Sequence, residues 1–305
     1  MRKIFYALYI CSLFALLTQG CGGRQRNQLP TTAIQKVFPA PEVPSILTTP
    51  EQHLGFLLAH YWDNFNFADS VEVKEKYVAE AFANYASMLY YAQAPEAQKS
   101  LVQFLQKAAL HDTTFLHFIS LADTFIYNPN APYHHDENYL FLIEQVIDAP
   151  AIPAKLLPEL RYRREMLSKN RVGTPATDFS FETLEGTKHL YDYHNPLTIL
   201  YFYNPGCHSC EALSQRLAAM PALQDALTKK EIALLSVCVD ADTQTWIQNR
   251  KHPEHWIDGY DRTGRLSSQR LYDLKAIPCL YLLGPKHEIL LKDPTFEGMI
   301  QRIFQ

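Results

Sequence analysis

Apolar residues between positions 51 and 169 recur every three or four residues, which is the period of an amphipathic helix. In the clearest run the apolar side chains would share one helix face: Tyr77, Val78, Ala81, Phe82, Tyr85, Met88 and Leu89. Asp69, with Glu72 three residues later, is a start signal for this helix. Residues typical of turns separate further periodic runs at 101–110, 115–127, 139–147 and 153–168. The pattern predicts an all-α helical domain over residues 48–170.

The pattern changes after residue 172. Alternating polar and apolar positions at 178–181, followed by Glu185-Gly186, predict a β-hairpin. Continuous apolar runs are typical of buried strands and occur at 197–203, 232–239 and 279–283, with a shorter one at 288–291. Helical stretches are predicted around these runs, at 210–217, 243–250, 267–271 and 296–304. Strands that alternate with helices predict an α/β fold, with a sheet flanked by helices, over residues 172–305.

The N-terminus differs from both regions. A basic start at 1–3 precedes an apolar run at 4–17, which is the organisation of an export signal. Leu17 to Cys21 resembles a bacterial lipobox, so we expect a lipoprotein signal peptide over 1–21 and lipidation of Cys21; an ordinary signal peptide with an incidental cysteine is the alternative. The polar, proline-containing stretch at 22–47 predicts a flexible tether. The expected location is the periplasmic side of the cell envelope, with a lipid anchor in a membrane, the outer membrane being favoured.

Composition and charge narrow the classes of function. The chain has 305 residues, of which 47% are hydrophobic, enough for two domains with separate cores. Its net charge of -4 provides no basic surface for nucleic acid, so nucleic-acid binding is not expected. The six cysteines are Cys11, Cys21, Cys207, Cys210, Cys238 and Cys279. A disulfide scaffold would spread its cysteines over the whole fold, so the cluster in the last third indicates a local redox centre.

The candidate chemistry lies in Cys207-His208-Ser209-Cys210, which follows a predicted buried strand and begins a predicted helix. Free N–H groups and the helix dipole stabilise a thiolate at such a position, so Cys207 should attack and Cys210 should resolve the mixed disulfide. His208, when protonated, would favour that thiolate; the alternative is a solvated imidazole with no role. Zinc would require a second cysteine pair, which the sequence lacks, so we expect no metal and no cofactor.

These residues, with Ala276-Ile277-Pro278 entering a strand about seventy residues later, resemble the thioredoxin superfamily and are most similar to TlpA-like, membrane-tethered thiol-disulfide oxidoreductases. The likeness covers residues 172–305 and implies a central mixed sheet flanked by helices. It also implies a cis peptide between Ile277 and Pro278, facing Cys207 and pairing with an extended substrate segment.

The sequence departs from the family at several positions. Gly206 replaces the aromatic residue that commonly precedes the first cysteine, and Tyr201 stands where thioredoxin has a buried acid. Proton transfer at Cys210 would therefore lack its usual carboxylate, and we expect Glu211 to point elsewhere. Cys279 and Cys238 are interpreted as buried apolar residues, with a third active thiol as the alternative for Cys279.

The helical half resembles a domain of unknown function that precedes thioredoxin-like modules in bacterial lipoproteins, through residues 61–69 and 127–132. Trp62 and its aromatic neighbours are expected in the core. His134-His135, and His252 with His255, are expected to be solvated, with metal binding as the alternative.

The sequence as a whole predicts a thiol-disulfide oxidoreductase, favoured as a reductase because of the TlpA-like resemblance. Its expected partners are thiols and disulfides of periplasmic proteins, an upstream electron donor and, through the lipid anchor, a membrane. Two other hypotheses remain open: a binding lipoprotein whose helical domain recruits a partner, and a thiol peroxidase.

Overall fold

The computed structural model describes residues 36–239, 243–249, 253 and 255–304. The predicted signal peptide, the predicted lipidation site Cys21, most of the predicted tether, and His252 lie outside the described residues. From Phe38 onward the chain forms one compact unit. None of the helices in the described part is both long enough and apolar enough to cross a membrane.

Helices make up the first half. They are α1 (Pro50–His60), α2 (Lys76–Tyr91), α3 (Ala94–Ala108), α4 (Asp112–Ala122), α5 (Asp136–Val146) and α6 (Leu157–Leu167). The predicted start of α2 is wrong: Asp69 accepts hydrogen bonds from the N–H groups of Val71 and Glu72, so it caps the short 3-10 turn Glu72–Lys74 instead. After α4 the helix widens into a π-helical turn, Asp123–Tyr127.

The core of the helical half is aromatic. Trp62 is 4% exposed and lies at its centre. Its ring packs against Tyr61, Phe65, Phe67, Phe82, Tyr85, Phe104 and Phe118. Edge-to-face and tilted contacts of this kind stabilise a core beyond the area that they bury. The prediction that Trp62 belongs to the core is confirmed.

The second half is a mixed sheet flanked by helices, as predicted. Its strands are β1 (Ser180–Thr183), β2 (Gly186–His189), β3 (Leu197–Tyr203), β4 (Ile232–Cys238), β5 (Ile257–Tyr260), β6 (Cys279–Leu283) and β7 (Ile289–Lys292). Its helices are α7 (His208–Ala218), α8 (Pro221–Thr228), α9 (Thr243–Asn249), α10 (Arg265–Ser268) and α11 (Phe296–Phe304). Strand β5 and helix α8 were not predicted from the sequence, and α10 begins two residues earlier than predicted.

The strand order is β2-β1-β5-β4-β3-β6-β7. The inner strand β3 pairs in parallel with β4 and antiparallel with β6. Because side chains alternate along β3, Tyr201 and Tyr203 belong to the core on one face, whereas Leu200 and Phe202 belong to the core on the other. The turn and helix that follow β3 lie over the first of these faces.

The two halves meet at the segment between α6 and β1. The side chain of Asn170 is 5% exposed and makes two hydrogen bonds. Its Oδ1 accepts from the N–H of Thr177, and its Nδ2 donates to the carbonyl of Leu271. Lys169 also donates to the carbonyl of Arg270. Both residues therefore hold the chain that leads toward β6.

Candidate active site

Strand β3 and helix α7 place Cys207 at the surface. After β3 the chain turns through Asn204, Pro205 and Gly206, and Gly206 has a φ of +75°, a backbone conformation that suits glycine. Cys207 then becomes the N-cap of α7, and its Sγ accepts a hydrogen bond from the N–H of Cys210 at 3.3 Å. The N-terminal N–H groups and the dipole of α7 therefore act on this sulfur.

Cys207 and Cys210 are joined in a disulfide, with their Cα atoms 5.2 Å apart. The two cysteines differ in exposure: Cys207 is half-buried, whereas Cys210 is 2% exposed. The two cysteines at the start of α7 are therefore within bonding distance, and Cys207 is the more exposed of the two. An external thiol can reach Cys207 but not Cys210.

The two residues between the cysteines are both exposed. The Ser209 hydroxyl lies 3.3 Å from the Cys207 sulfur. His208 is the first residue of α7, and its ring is open to solvent. The structure thus places Ser209, rather than His208, in contact with the reactive sulfur.

The loop before β6 faces the disulfide. The peptide bond between Ile277 and Pro278 is cis, which confirms that prediction. The carbonyl oxygen of Ile277 lies 3.8 Å from the Sγ of Cys207. Residues 70 positions apart in the chain are therefore brought together at one edge of the sheet.

On the inner side, hydroxyl groups replace the carboxylate of thioredoxin. Tyr201 donates a hydrogen bond to the carbonyl of Cys210 at 2.9 Å, and its oxygen lies 3.1 Å from the Ser214 hydroxyl. Burial raises the pKa of Tyr201 to about 12, so the phenol stays protonated at neutral pH. A cavity of about 270 Å³ lies here, and its lining includes Tyr201, Cys210, Glu211 and Ser214.

The other two cysteines of the described residues, Cys238 and Cys279, are buried in strands. Cys279 is 3% exposed, and burial holds the pKa of its thiol well above the usual range. Its side chain belongs to the core on the face of the sheet opposite to Cys210. Cys238 is fully buried on the same face as Cys210. Both positions agree with their interpretation as apolar core residues.

The histidines of the helical half have structural partners. His134 contacts the Asp136 carboxylate at 2.8 Å, and the ring of His135 accepts a hydrogen bond from the N–H of Asn138 at the start of α5. His255 is exposed. No group of three or more potential metal ligands was found among the described residues. The expectation that His134 is solvated is wrong, because its side chain is only 14% exposed.

A buried ion cluster, not predicted from the sequence, joins the two halves. Asp136 of α5 contacts Lys275 at 2.7 Å and Lys292 at 3.1 Å, and both lysines belong to the thioredoxin-like half. Burial opposes ionisation of Asp136, but the hydrogen bond with His134 and the two lysine charges hold its pKa well below the usual range. The sequence shows that these three residues are charged, but it contains no motif that would indicate that residues so far apart come into contact.

The sheet order, the disulfide at the head of α7 and the cis proline opposite it define a thioredoxin-like protein. Two family models match the sequence: a domain of unknown function, DUF5106, over residues 19–170, and a thioredoxin-like domain over residues 195–289. The crystal structure of a thioredoxin-like protein from Bacteroides caccae is 32% identical, with a TM-score of 0.84 over 88% of this chain and 99% of that chain. The chain belongs to this family of thioredoxin-like proteins with an N-terminal helical domain.

Two shorter crystal structures are similar to the second half alone. The C-terminal domain of an uncharacterized protein from Bacteroides fragilis is 34% identical and covers 45% of this chain and 100% of that chain, with a TM-score of 0.44. The thioredoxin domain of a thiol-disulfide oxidoreductase from Bacteroides vulgatus is 17% identical, with a TM-score of 0.38. The match covers 44% of this chain and 95% of that chain. A comparison with curated proteins found no match.

Proposed function

We propose that this chain is a thiol-disulfide oxidoreductase that reduces disulfides in exported proteins through Cys207 and Cys210. One observation carries the proposal: the disulfide at the start of α7 has one accessible sulfur and one sealed sulfur. This asymmetry suits an attacking and a resolving thiol, because only the accessible sulfur can form a mixed disulfide with another protein.

In the reduced protein, the Cys207 thiolate attacks one sulfur of a substrate disulfide and displaces the other as a thiolate. The Cys210 thiolate then attacks the Sγ of Cys207 and displaces the second substrate thiolate, so the substrate gains two electrons and the Cys207–Cys210 disulfide forms. The N–H of Cys210, which lies 3.3 Å from the Cys207 sulfur, stabilises the thiolate before the attack. A dithiol donor returns the two electrons.

The finer parts of the proposal rest on the TlpA-like resemblance. It favours reduction over oxidation, extended protein segments as substrates, and a position on the periplasmic side of the envelope. Lipidation at Cys21, followed by the tether, would hold the folded part near a membrane. The Ile277 carbonyl, 3.8 Å from the Cys207 sulfur, is placed to contact a bound segment.

Trapping the mixed disulfide tests the proposal. The full chain, reduced beforehand, is mixed with a fluorescence-quenched peptide that contains one disulfide. We expect rapid reduction by the wild type, no reaction of Cys207→Ser, and a stable peptide adduct on Cys210→Ser, because that variant cannot resolve it. Mass spectrometry should locate the adduct on Cys207.

The matched control is Cys279→Ser, which removes a buried thiol on the other face of the sheet and should leave the reaction intact. A wild-type chain that does not reduce the peptide, or a Cys210→Ser chain that forms no adduct, would contradict the proposal. The oxidised chain could instead oxidise the reduced peptide faster than the reduced chain reduces the disulfide peptide. That result would contradict only the proposed direction of exchange.

A further inference from the structure

The ion cluster between the two halves lies next to the loop that faces the disulfide. Lys275 comes two residues before Ile277, whose carbonyl lies 3.8 Å from the Cys207 sulfur. The ammonium group of Lys275 lies 2.7 Å from the Asp136 carboxylate, which belongs to the first turn of α5 in the helical half. A short path of contacts therefore joins the helical half to the reactive sulfur.

The contact between Asp136 and Lys275 is largely shielded from solvent. The side chains of Asp136 and Lys275 are 13% and 14% exposed, so little water can compensate for a displaced charge. The same ammonium group lies 3.3 Å from the Asp273 carboxylate and 4.7 Å from the centre of the Tyr127 ring. Two carboxylates and one aromatic ring therefore surround the ammonium group and fix where the lysine, and thus the loop, can lie.

The start of the loop is held as well. Lys169 and Asn170 donate hydrogen bonds to the carbonyls of Arg270 and Leu271. The segment from residue 270 to Pro278 is thus attached near both ends to residues contributed by the helical half and by its connection to the sheet. The cluster adds the attachment that lies closest to the cis peptide.

A buried ion pair contributes little net stability, since the cost of removing its charges from water offsets most of their attraction. In some proteins such pairs instead specify one conformation, and a loop beside a reactive sulfur benefits from a fixed position. We propose that the helical half positions the substrate-binding loop through the contact between Asp136 and Lys275. This inference rests on the proposed function and assigns a role to the helical half.

The chain offers a matched pair of variants. Lys275→Met and Lys292→Met each remove one ammonium group from the same Asp136 carboxylate and keep most of the side-chain length. Lys292 is 7% exposed and lies 3.1 Å from Asp136, but it ends β7 instead of preceding the cis peptide. A purely structural cluster predicts similar effects of the two changes, whereas a positioning contact predicts different ones.

The experiment uses the full chain, reduced beforehand, and the fluorescence-quenched disulfide peptide over a range of concentrations. For Lys275→Met we expect the half-saturating peptide concentration to rise about five- to tenfold, with the limiting rate within about twofold of the wild type. Alkylation of Cys207 by iodoacetamide should also stay within about twofold, since this small reagent does not need the loop. Lys292→Met should leave all three quantities within about twofold of the wild type.

Equal effects of Lys275→Met and Lys292→Met on half-saturation, or no effect of Lys275→Met, would overturn the inference while the proposed function stands. A wild-type chain that does not reduce the peptide would overturn both. If circular dichroism shows that Lys275→Met does not fold, Asp136→Asn tests the same contact from the helical half. That variant should also raise the half-saturating concentration, and an unchanged value would overturn the inference.

Discussion

Two buried cysteines near the active site have opposite surroundings. Cys210 lies beside the half-buried Cys207 on one face of the sheet, and Cys279 lies in the core of the other face. The two side chains lie on opposite faces because Cys279 belongs to β6, and the direction of each side chain in a strand is fixed by the backbone. The Sγ of Cys279 lies 3.8 Å from the carbonyl oxygen of Asp273. Proximity in sequence to Pro278 therefore does not bring this thiol to the site.

Replacement of Cys279 by alanine tests this interpretation. We expect the reduction of the disulfide peptide to stay within about twofold of the wild type, and the free energy of unfolding to fall by about 1 kcal/mol because a small cavity forms. Urea denaturation and the peptide assay measure the two quantities. A loss of activity without a comparable loss of stability would show that Cys279 takes part in exchange.

The turn between β3 and α7 explains a departure from the family pattern. A residue with a side chain at position 206 would have to adopt the left-handed conformation, where Gly206 has a φ of +75°. An ideal Cβ atom there meets nothing within 4 Å, so backbone strain and not crowding selects glycine. The aromatic residue expected from other thioredoxins is disfavoured by this turn.

Gly206→Ala should therefore lower the free energy of unfolding by about 1 to 2 kcal/mol, the cost of the left-handed conformation for a residue with a Cβ atom. Gly206→Asn is the control and should cost less, since asparagine adopts this conformation more readily. Urea denaturation of the oxidised chain measures both. Equal stability of the alanine variant and the wild type would contradict the explanation.

Most elements of the second half could be predicted because their patterns are local. The apolar runs of β3, β4 and β6 and the cysteine pair after β3 each lie within a few residues. Strand β5 was missed because its sequence, Ile257–Tyr260, is short and only partly buried, so it carries no continuous apolar run. The cis peptide could be predicted only from the family resemblance, because a single proline has no such local signal.

At the scale of the whole molecule, contacts between residues distant in the chain are the part of the structure that the sequence does not predict. Asp136 and Lys275 are 139 positions apart, and neither belongs to a motif, so their contact could not be predicted. Exposed pairs also cross between the halves, such as Glu165 with Arg270 at 3.0 Å, but exposed pairs contribute little to stability. The interface between the two halves therefore differs from one made of exposed charges alone, because the ion pair of Asp136 and Lys275 is buried.

Buried tyrosines give the molecule a predictable response to alkaline pH. Burial raises the pKa values of Tyr61, Tyr193 and Tyr201 to about 12, whereas an unfolded chain ionises its tyrosines near pH 10. Above about pH 10 the unfolded state therefore binds fewer protons than the folded state, and the free energy of unfolding falls as pH rises toward 12. Each tyrosine contributes up to about 1.4 kcal/mol per pH unit in that window, and nothing below it.

Urea denaturation between about pH 9 and about pH 11 measures this slope. Tyr61→Phe is the matched control, since it removes one buried phenol, which donates to the carbonyl of Ala81, and should make the slope shallower. A free energy of unfolding that does not change over this range, or an identical slope for the variant, would contradict the prediction.

The side chain of Asn170 also determines where the chain could be divided. A shortened protein that started at Arg171 would lack the side-chain amide of Asn170. The N–H of Thr177 and the carbonyl of Leu271 would then lose this hydrogen-bond partner. A fragment that began a few residues earlier would keep this amide and the Lys169 bond to Arg270. Anyone preparing the thioredoxin-like half by itself should therefore cut ahead of Lys169.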